Sequence, residues 1–245
     1  MPVRPTAATI ATTTLDGLST RVVNAVPAAV PPAAAPVVVL LHGFSMIADD
    51  LAPFGASLGV PALFLFPEGP LNLAGCDLRG RGWWMIDTEK RAAAIARGDE
   101  RDLGEEDPPG LVAARERLAG VLSEVRARWP RRPLFLGGFS QGAILSLDLV
   151  LRTRPSLAGL ILFSCGRVNA GVWLTLMDST AGLPIFQSHG RSDRELSFAA
   201  ASMMASDLRA AGARHTFAPF DGGHEIPLPV LRALKRFLRD PVSSC

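Results

Sequence analysis

Residues 133–142 read PLFLGGFSQG, an apolar run that ends in a serine with a glycine two positions away on either side. A short buried strand followed by a sharp turn and a helix presents such a serine, Ser140, above the edge of a sheet. An ordinary tight turn with a solvated serine fits the same letters. The stretch therefore predicts a strand-turn-helix unit, and the rest of the chain has to decide whether Ser140 is a nucleophile.

Runs with the character of strands alternate with helical patterns around this stretch. The predicted strands are 37–41, 62–66, 134–136, 160–163, 184–188 and 215–219, and a hairpin about Asp16-Gly17 precedes them. The predicted helices cover 107–129, 141–152, 195–211 and 228–238. We expect Asp107 to cap the first of these helices, with Pro108 as its first residue. The alternation favours an α/β fold with a mostly parallel central sheet and helices on both faces.

The chain has 245 residues, of which 48% are hydrophobic, enough for a sizeable core. We predict a single domain over 1–245, in which residues 1–36 contribute a hairpin and a Pro/Ala linker. Residues 67–107 show no clear period, so we expect a long irregular loop there. Loops of that length in compact domains are usually functional or mobile.

Charge and cysteine usage exclude several classes of function. The formal net charge is +2, and the arginines are scattered without a basic stripe, so no nucleic-acid partner is expected. Prolines interrupt the uncharged stretch 25–41, so no stable membrane insertion is expected. Cys76, Cys165 and Cys245 are too widely spaced for a disulfide framework or a metal site. They favour a reducing, cytoplasmic location.

A serine hydroxyl is a weak nucleophile. If Ser140 is the nucleophile, the chain must therefore supply a base and an acidic residue that orients the base. Among the four histidines, His224 lies in a glycine-rich segment after the last predicted strand and is the best candidate base. Asp193 follows the preceding predicted strand, so the order is Ser140, Asp193, His224, as expected for a serine presented in this way. Asp221 is the alternative acid, but its position beside the histidine favours a turn-capping role.

Hydrolysis by a serine also requires donors for the oxyanion of the tetrahedral intermediate. The N–H of Gln141 follows the serine and begins the predicted helix, where the amide dipoles favour negative charge. The second donor is expected in the loop after strand 37–41, where Gly43 permits a sharp turn. We assign it to the N–H of Phe44.

Four segments, LHGF at 41–44, GFSQG at 138–142, HGRSD at 189–193 and GHEI at 223–226, together resemble the phospholipase/carboxylesterase family of α/β-hydrolases. That family includes acyl-protein thioesterases and small bacterial carboxylesterases. The resemblance covers about residues 37–238. It implies an α/β-hydrolase fold, catalytic roles for Ser140, Asp193 and His224, oxyanion roles for Phe44 and Gln141, and neither a metal ion nor an organic cofactor.

The segment GRGWWMID at 80–87 resembles the family's tryptophan-containing loop near the acyl pocket. We therefore expect Trp83 and Trp84 to contact substrate, together with Met46 after the oxyanion loop. The alternative is that both tryptophans pack into the core, since aromatic side chains supply large apolar area in either role.

The resulting prediction is a serine hydrolase that cleaves carboxylic esters through an acyl-enzyme on Ser140. Acyl-thioesterase or lysophospholipase activity is the alternative within the same chemistry. The alternative from another class is a module that binds a ligand in the hydrolase pocket without turnover, because a fold alone does not determine function. The expected partner is a small-molecule ester or thioester, and the expected state is a monomer or homodimer.

Overall fold

A computed structural model of the chain describes residues 8–76, 78–99 and 101–240. Its strands are β1 (Thr9–Leu15), β2 (Leu18–Asn24), β3 (Val37–Leu41), β4 (Leu63–Pro67), β5 (Leu71–Asn72), β6 (Arg81–Gly82), β7 (Leu134–Phe139), β8 (Gly159–Phe163), β9 (Pro184–Gly190) and β10 (Arg214–Phe220). Eight of them form one sheet in the order β1-β2-β4-β3-β7-β8-β9-β10, and β5 pairs with β6 separately. The predicted hairpin is confirmed: β1 and β2 are antiparallel about Asp16-Gly17, and β2 is antiparallel to β4.

Seven α-helices accompany the strands in the described part of the chain: α1 (Ala48–Ser57), α2 (Thr88–Arg97), α3 (Leu111–Arg128), α4 (Gln141–Thr153), α5 (Ala170–Leu176), α6 (Phe198–Ala210) and α7 (Leu228–Arg239). Apolar residues of α1 and α7 pack on one face of the sheet, and those of α3, α4, α5 and α6 pack on the other. Within the ranges described, no helix combines the length and apolar character needed to cross a membrane.

The apolar runs at the centre of the sheet are buried on both faces. Successive strand residues point to opposite faces. In β3 the side chains of Val37 and Val39 accordingly enter the core under α3 and α4, whereas Val38 and Leu40 enter the core under α1 and α7. Strands β3, β4, β7, β8, β9 and β10 pair in parallel. The expected mostly parallel sheet with helices on both faces is confirmed.

The structure corrects two predictions about helices. The segment 67–107 is not irregular throughout, because it contains α2, whose N-cap Asp87 accepts the N–H of Lys90 at 2.8 Å. The sequence of α2 has no apolar stripe from which a helix could be predicted, and accordingly none of its residues is buried. The second correction concerns α3, which begins at Leu111 rather than at 107 or 108 and has Gly110 as its N-cap.

The cysteine pattern is described only in part. Cys165 is buried and free, and Cys245 lies outside the described residues. Burial raises the pKa of the Cys165 thiol, which keeps it protonated and unreactive. Cys165 is therefore part of the core rather than a reactive thiol.

Helix α4, which begins directly after Ser140, is anchored by a buried carboxylate. The Asp148 side chain is fully buried and accepts hydrogen bonds from Arg115 on α3 at 2.6 Å, from Arg152 at 2.9 Å and from the Trp173 indole on α5 at 3.0 Å. These bonds join α3, α4 and α5, which pack on the same face of the sheet.

Replacing Asp148 with alanine should therefore destabilise the protein strongly. The change removes one partner from a buried ion pair and leaves the Trp173 N–H unpaired, which costs about 3–5 kcal/mol of the free energy of unfolding. Urea denaturation measures the loss. The matched control is Asp49→Ala, because the Arg21–Asp49 pair is on the surface and should leave the unfolding midpoint almost unchanged. Equal midpoints for both variants would contradict the anchoring role.

Candidate active site

The serine turn joins β7 to α4 in a strained conformation. Ser140 has φ 54° and ψ −117°, a region that non-glycine residues rarely occupy. Its N–H donates to the carbonyl of Phe163 at 2.9 Å, and its own carbonyl accepts the N–H groups of Ala143 and Ile144 at 2.9 and 3.0 Å. Neighbouring strands and the first turn of α4 thus hold the strained backbone. Such strain is typical of functional positions and distinguishes this turn from an ordinary one.

The two glycines of the turn are required by a close approach to the end of β3. A Cβ atom on Gly138 would lie 2.6 Å from the carbonyl oxygen of Leu41, and one on Gly142 would lie 2.4 Å from the same oxygen. Neither position can hold a larger residue without moving the backbone. The two glycines of the pattern GFSQG therefore reflect the close packing of the turn against β3.

His224 and Asp193 form a hydrogen-bonded pair. His224 Nδ1 lies 2.7 Å from Asp193 Oδ2, and the other carboxylate oxygen accepts the N–H groups of Glu195 at 2.8 Å and Leu196 at 3.0 Å. Burial alone would raise the pKa of Asp193, but the hydrogen bond to His224 and the Leu196 N–H lower it below its ordinary value. Asp193 is therefore an ionised carboxylate that orients His224. The alternative acid, Asp221, is 98% exposed.

The His224 ring lies beside the serine turn. Its centroid is 4.7 Å from that of Phe139, the residue before Ser140, and Ser140 and His224 line the same cavity. The sequence-predicted serine, histidine and aspartate are thus brought together at the carboxyl ends of β7, β9 and β10, where ligands bind in open α/β sheets.

The loop that carries the predicted oxyanion donor Phe44 is held by a histidine for which the sequence suggested no role. His42 Nδ1 lies 2.7 Å from the Gly43 carbonyl oxygen, and its Nε2 accepts the N–H of Gly69 at 2.8 Å. Because Nε2 accepts, the proton lies on Nδ1 and is donated to Gly43. The carbonyl of Gly43 and the N–H of Phe44 belong to one trans peptide and point in opposite directions. The His42 hydrogen bond therefore directs the Phe44 N–H away from the ring.

The side chain of Gln141 connects the serine turn to the tryptophan segment, a second feature that sequence reasoning missed. Its amide oxygen accepts the N–H of Trp83 at 2.9 Å and its amide nitrogen donates to the Trp84 carbonyl at 2.8 Å. The glutamine side chain is buried, so both bonds are shielded from water. The backbone N–H of Gln141 lies in the first turn of α4, where N–H groups have no partner within the helix.

A cavity of about 970 Å³ opens at Ser140. Its apolar wall includes the predicted substrate contacts Met46 and Trp84. Trp83 is not part of the wall. It is buried, and its indole N–H donates at 2.9 Å to the carbonyl of His42, which precedes the loop that carries Phe44. The segment thus combines both expected roles, with Trp84 at the cavity and Trp83 in the core. In the described ranges, no three or more His, Cys, Asp or Glu side chains are grouped to hold a metal ion.

Helix α2 and the segment after it form the charged side of the cavity. Arg91 pairs with Glu195 at 2.5 Å, and Lys90 pairs with Glu106 at 2.8 Å. Arg101 donates to the Glu195 carbonyl at 2.6 Å. Glu195 lies two residues after Asp193, so the helix over the cavity is joined to the loop that carries the acid. The lining of the cavity therefore includes both apolar and charged side chains.

Comparisons with known proteins agree with this geometry. The model of a family described as Phospholipase/Carboxylesterase matches residues 105–241. Acyl-protein thioesterase 1 of Neurospora crassa is 25% identical over 184 residues, 72% of this chain and 73% of that protein. A probable carboxylesterase, SOBER1-like, of Arabidopsis thaliana is 27% identical over 74% of this chain and 68% of its own length. The crystal structure of esterase PE8 superposes with a TM-score of 0.69 at 25% identity, over 85% of this chain and 94% of that one.

The close packing of the serine turn against β3 predicts that adding a single methyl group there lowers the rate. In Gly142→Ala the new Cβ must displace the Leu41 carbonyl or the turn, and a shift of about 1 Å in such a site costs about 100-fold in rate. We expect kcat/KM for an aryl ester to fall by that factor. Gly171→Ala on α5 is the control, because a Cβ there meets no atom within 4 Å. Normal kcat/KM in Gly142→Ala would show that the close approach does not position the site.

Proposed function

This chain belongs to the phospholipase/carboxylesterase family of α/β-hydrolases, and from that premise we propose that Ser140, Asp193 and His224 form the catalytic triad of an ester hydrolase. The observation that carries the proposal is the 2.7 Å contact between His224 Nδ1 and Asp193 Oδ2. His224 lines the same cavity as Ser140, whose backbone is strained. Asp193 holds the imidazole with its proton on Nδ1, which leaves Nε2 free to accept the proton of the serine hydroxyl.

Acylation begins when Ser140 Oγ attacks the carbonyl carbon of the ester and His224 Nε2 takes the hydroxyl proton. The carbonyl oxygen becomes an oxyanion, for which we propose the backbone N–H groups of Phe44 and Gln141 as donors. The C–O bond of the ester then breaks, and His224 returns the proton to the departing alcohol. The product of this half-reaction is an acyl group on Ser140.

Deacylation repeats the same steps with water as the nucleophile. His224 accepts a proton from the water as it attacks the acyl carbon, and the same two N–H groups receive the oxyanion. The bond to Ser140 Oγ breaks, and His224 gives its proton to the serine. The enzyme returns to its initial state and needs no cofactor for either half-reaction.

The mixed lining of the cavity favours an ester substrate that has both an acyl chain and a polar group. Trp84, Met85, Ile86 and Ile144 provide apolar lining for an acyl chain, and charged side chains of α2 line the same cavity. Acyl thioesters and lysophospholipids also combine an acyl chain with a polar group, and the thioesterase relative favours acyl thioesters as the second candidate substrate. A series of kcat/KM values for aryl esters and acyl thioesters of equal chain length distinguishes the two.

The proposed setting is the cytoplasm, on the strength of the widely spaced cysteines and the free, buried Cys165. The proposed assembly is a monomer or homodimer. Light scattering on the purified protein determines the assembly directly.

Covalent labelling tests the proposed nucleophile. A fluorophosphonate should add once, at Ser140, and an activated acyl ester should give a burst of one product per enzyme. Ser140→Ala should abolish both and lower kcat by about 10⁶-fold, the loss seen when the nucleophile of such a triad is removed. The control is Ser45→Ala, because Ser45 is an exposed serine on the same cavity. An adduct on Ser45, or activity in Ser140→Ala, would refute the assignment.

The apolar wall predicts a dependence on acyl length. Each methylene that the wall covers contributes up to about 0.8 kcal/mol, so kcat/KM should rise up to about fourfold per carbon until the chain outgrows the cavity. Met85→Ala should flatten this rise without changing the rate for acetyl esters. Met203→Ala is the matched control, because Met85 and Met203 are 46% and 45% exposed but only Met85 lines the cavity. The same profile for both variants would exclude Met85 from the acyl wall.

A further inference from the structure

A second histidine lies against the acid of the proposed triad. His189 is near the end of β9, four residues before Asp193, and its side chain is completely buried. Its Nε2 lies 3.0 Å from the carbonyl oxygen of Leu196 and 3.3 Å from Asp193 Oδ2. Asp193 Oδ2 is also the oxygen that accepts the hydrogen bond from His224. His189 therefore contacts the acid on the oxygen that orients the base.

The protonation state of His189 follows from its partners. A carbonyl oxygen can only accept, so Nε2 must carry the proton that is donated to Leu196. Nδ1 is buried and has no hydrogen-bond partner among the described residues. A second proton on Nδ1 would create a buried cation with an unsatisfied donor, and burial lowers the pKa of His189 accordingly. The ring is neutral, with one N–H, on Nε2.

The Nε2–H of His189 completes a closed set of contacts around Asp193. Leu196 donates its N–H to Asp193 Oδ1 at 3.0 Å and accepts from His189 through its carbonyl. The Glu195 N–H also donates to Oδ1, at 2.8 Å. The histidine thus fixes the turn that binds one carboxylate oxygen, and places a positive N–H dipole beside the other oxygen.

We propose that His189 is a positioning residue of the triad: its Nε2–H holds the turn 193–196 and orients Asp193 Oδ2 towards His224. This inference rests on the proposed function, because it gives Asp193 the role of the carboxylate that orients the catalytic base His224. His189 does not reach the cavity wall and exchanges no proton with substrate. Its effect is transmitted through Asp193, which determines the tautomer and the direction of the His224 ring.

Two substitutions separate the hydrogen bond from the bulk of the ring. His189→Met removes the donor but retains an apolar side chain of similar size, whereas the amide nitrogen of His189→Gln can occupy the position of Nε2. We expect kcat to fall about 10- to 100-fold in His189→Met, with little change in KM, because the buried Leu196 carbonyl loses its donor and the N–H beside Asp193 is removed. His189→Gln should recover most of that loss. Equal kcat in wild type and His189→Met would overturn the proposal.

The neighbouring strand offers a matched control. His215 on β10 is a half-buried histidine whose Nδ1 has no hydrogen-bond partner in the part of the chain that the structure describes. Its Nε2 lies 2.8 Å from Gln187 rather than from the proposed triad. His215→Met should leave kcat within about twofold of wild type, since it touches no group of the site. An equal loss of kcat in His215→Met would show that any buried histidine of the sheet has this effect, and would overturn the proposal.

Combination with Asp193→Asn tests whether His189 acts through the acid. If it does, His189→Met should change kcat less than about twofold in the Asp193→Asn background, because residues that act as one unit are not additive. A full additional loss would overturn the proposal in favour of a purely structural role.

A spectroscopic measurement on the unaltered enzyme does not depend on how the variants fold. Nitrogen-15 shifts of labelled histidines should show His189 as a neutral ring with its proton on Nε2 throughout the active pH range. A proton on Nδ1 would overturn the inference. Failure of the fluorophosphonate to label wild-type Ser140 would instead refute the proposed function, so the two failures are distinguishable.

Discussion

The close approach of the serine turn to the end of β3 determines the geometry of the whole site. The carbonyl oxygen of Leu41 occupies the space that a side chain at Gly138 or Gly142 would need. The residues after Leu41 form the loop with the predicted oxyanion donor Phe44, so this one contact brings the proposed nucleophile and that loop together. The parallel pairing of β3 with β7 makes this contact possible, because it brings the carboxyl ends of both strands to the same edge.

The buried acid imposes a second constraint. A carboxylate without solvent is stable in its ionised form only if its oxygens receive hydrogen bonds. Asp193 satisfies this through a turn of its own chain, with N–H groups of Glu195 and Leu196 on one oxygen and His224 on the other. The same bonds that make burial tolerable also fix the direction of the carboxylate. Stability of the loop and orientation of the base therefore depend on one set of contacts.

The sequence was sufficient to predict the structure where a residue type reflects a backbone constraint or an apolar run reflects burial. The glycines about Ser140 and the runs of β3 and β7 predicted the turn and the sheet, and the chain order singled out Asp193 and His224. It was insufficient where a role depends on three-dimensional contacts. Nothing local distinguishes Trp84 at the cavity from Trp83 behind the oxyanion loop. Helix α2 also escaped prediction, because ion pairs rather than an apolar stripe hold it in place.

The segments that line the cavity are held in place by two different kinds of interaction, which differ in strength. The groups that react in the proposed mechanism are positioned by hydrogen bonds among buried or partly buried groups, which exchange for water only when the local fold opens. Helix α2 buries no residue and is joined to the body by partly exposed ion pairs, which contribute less and weaken with salt. Regions with few buried apolar contacts open at the lowest cost. We therefore expect α2 to open at a lower cost than the segments that hold Ser140, Asp193 and His224. Glu195 joins these two parts, because it pairs with Arg91 of α2 and its N–H donates to Asp193.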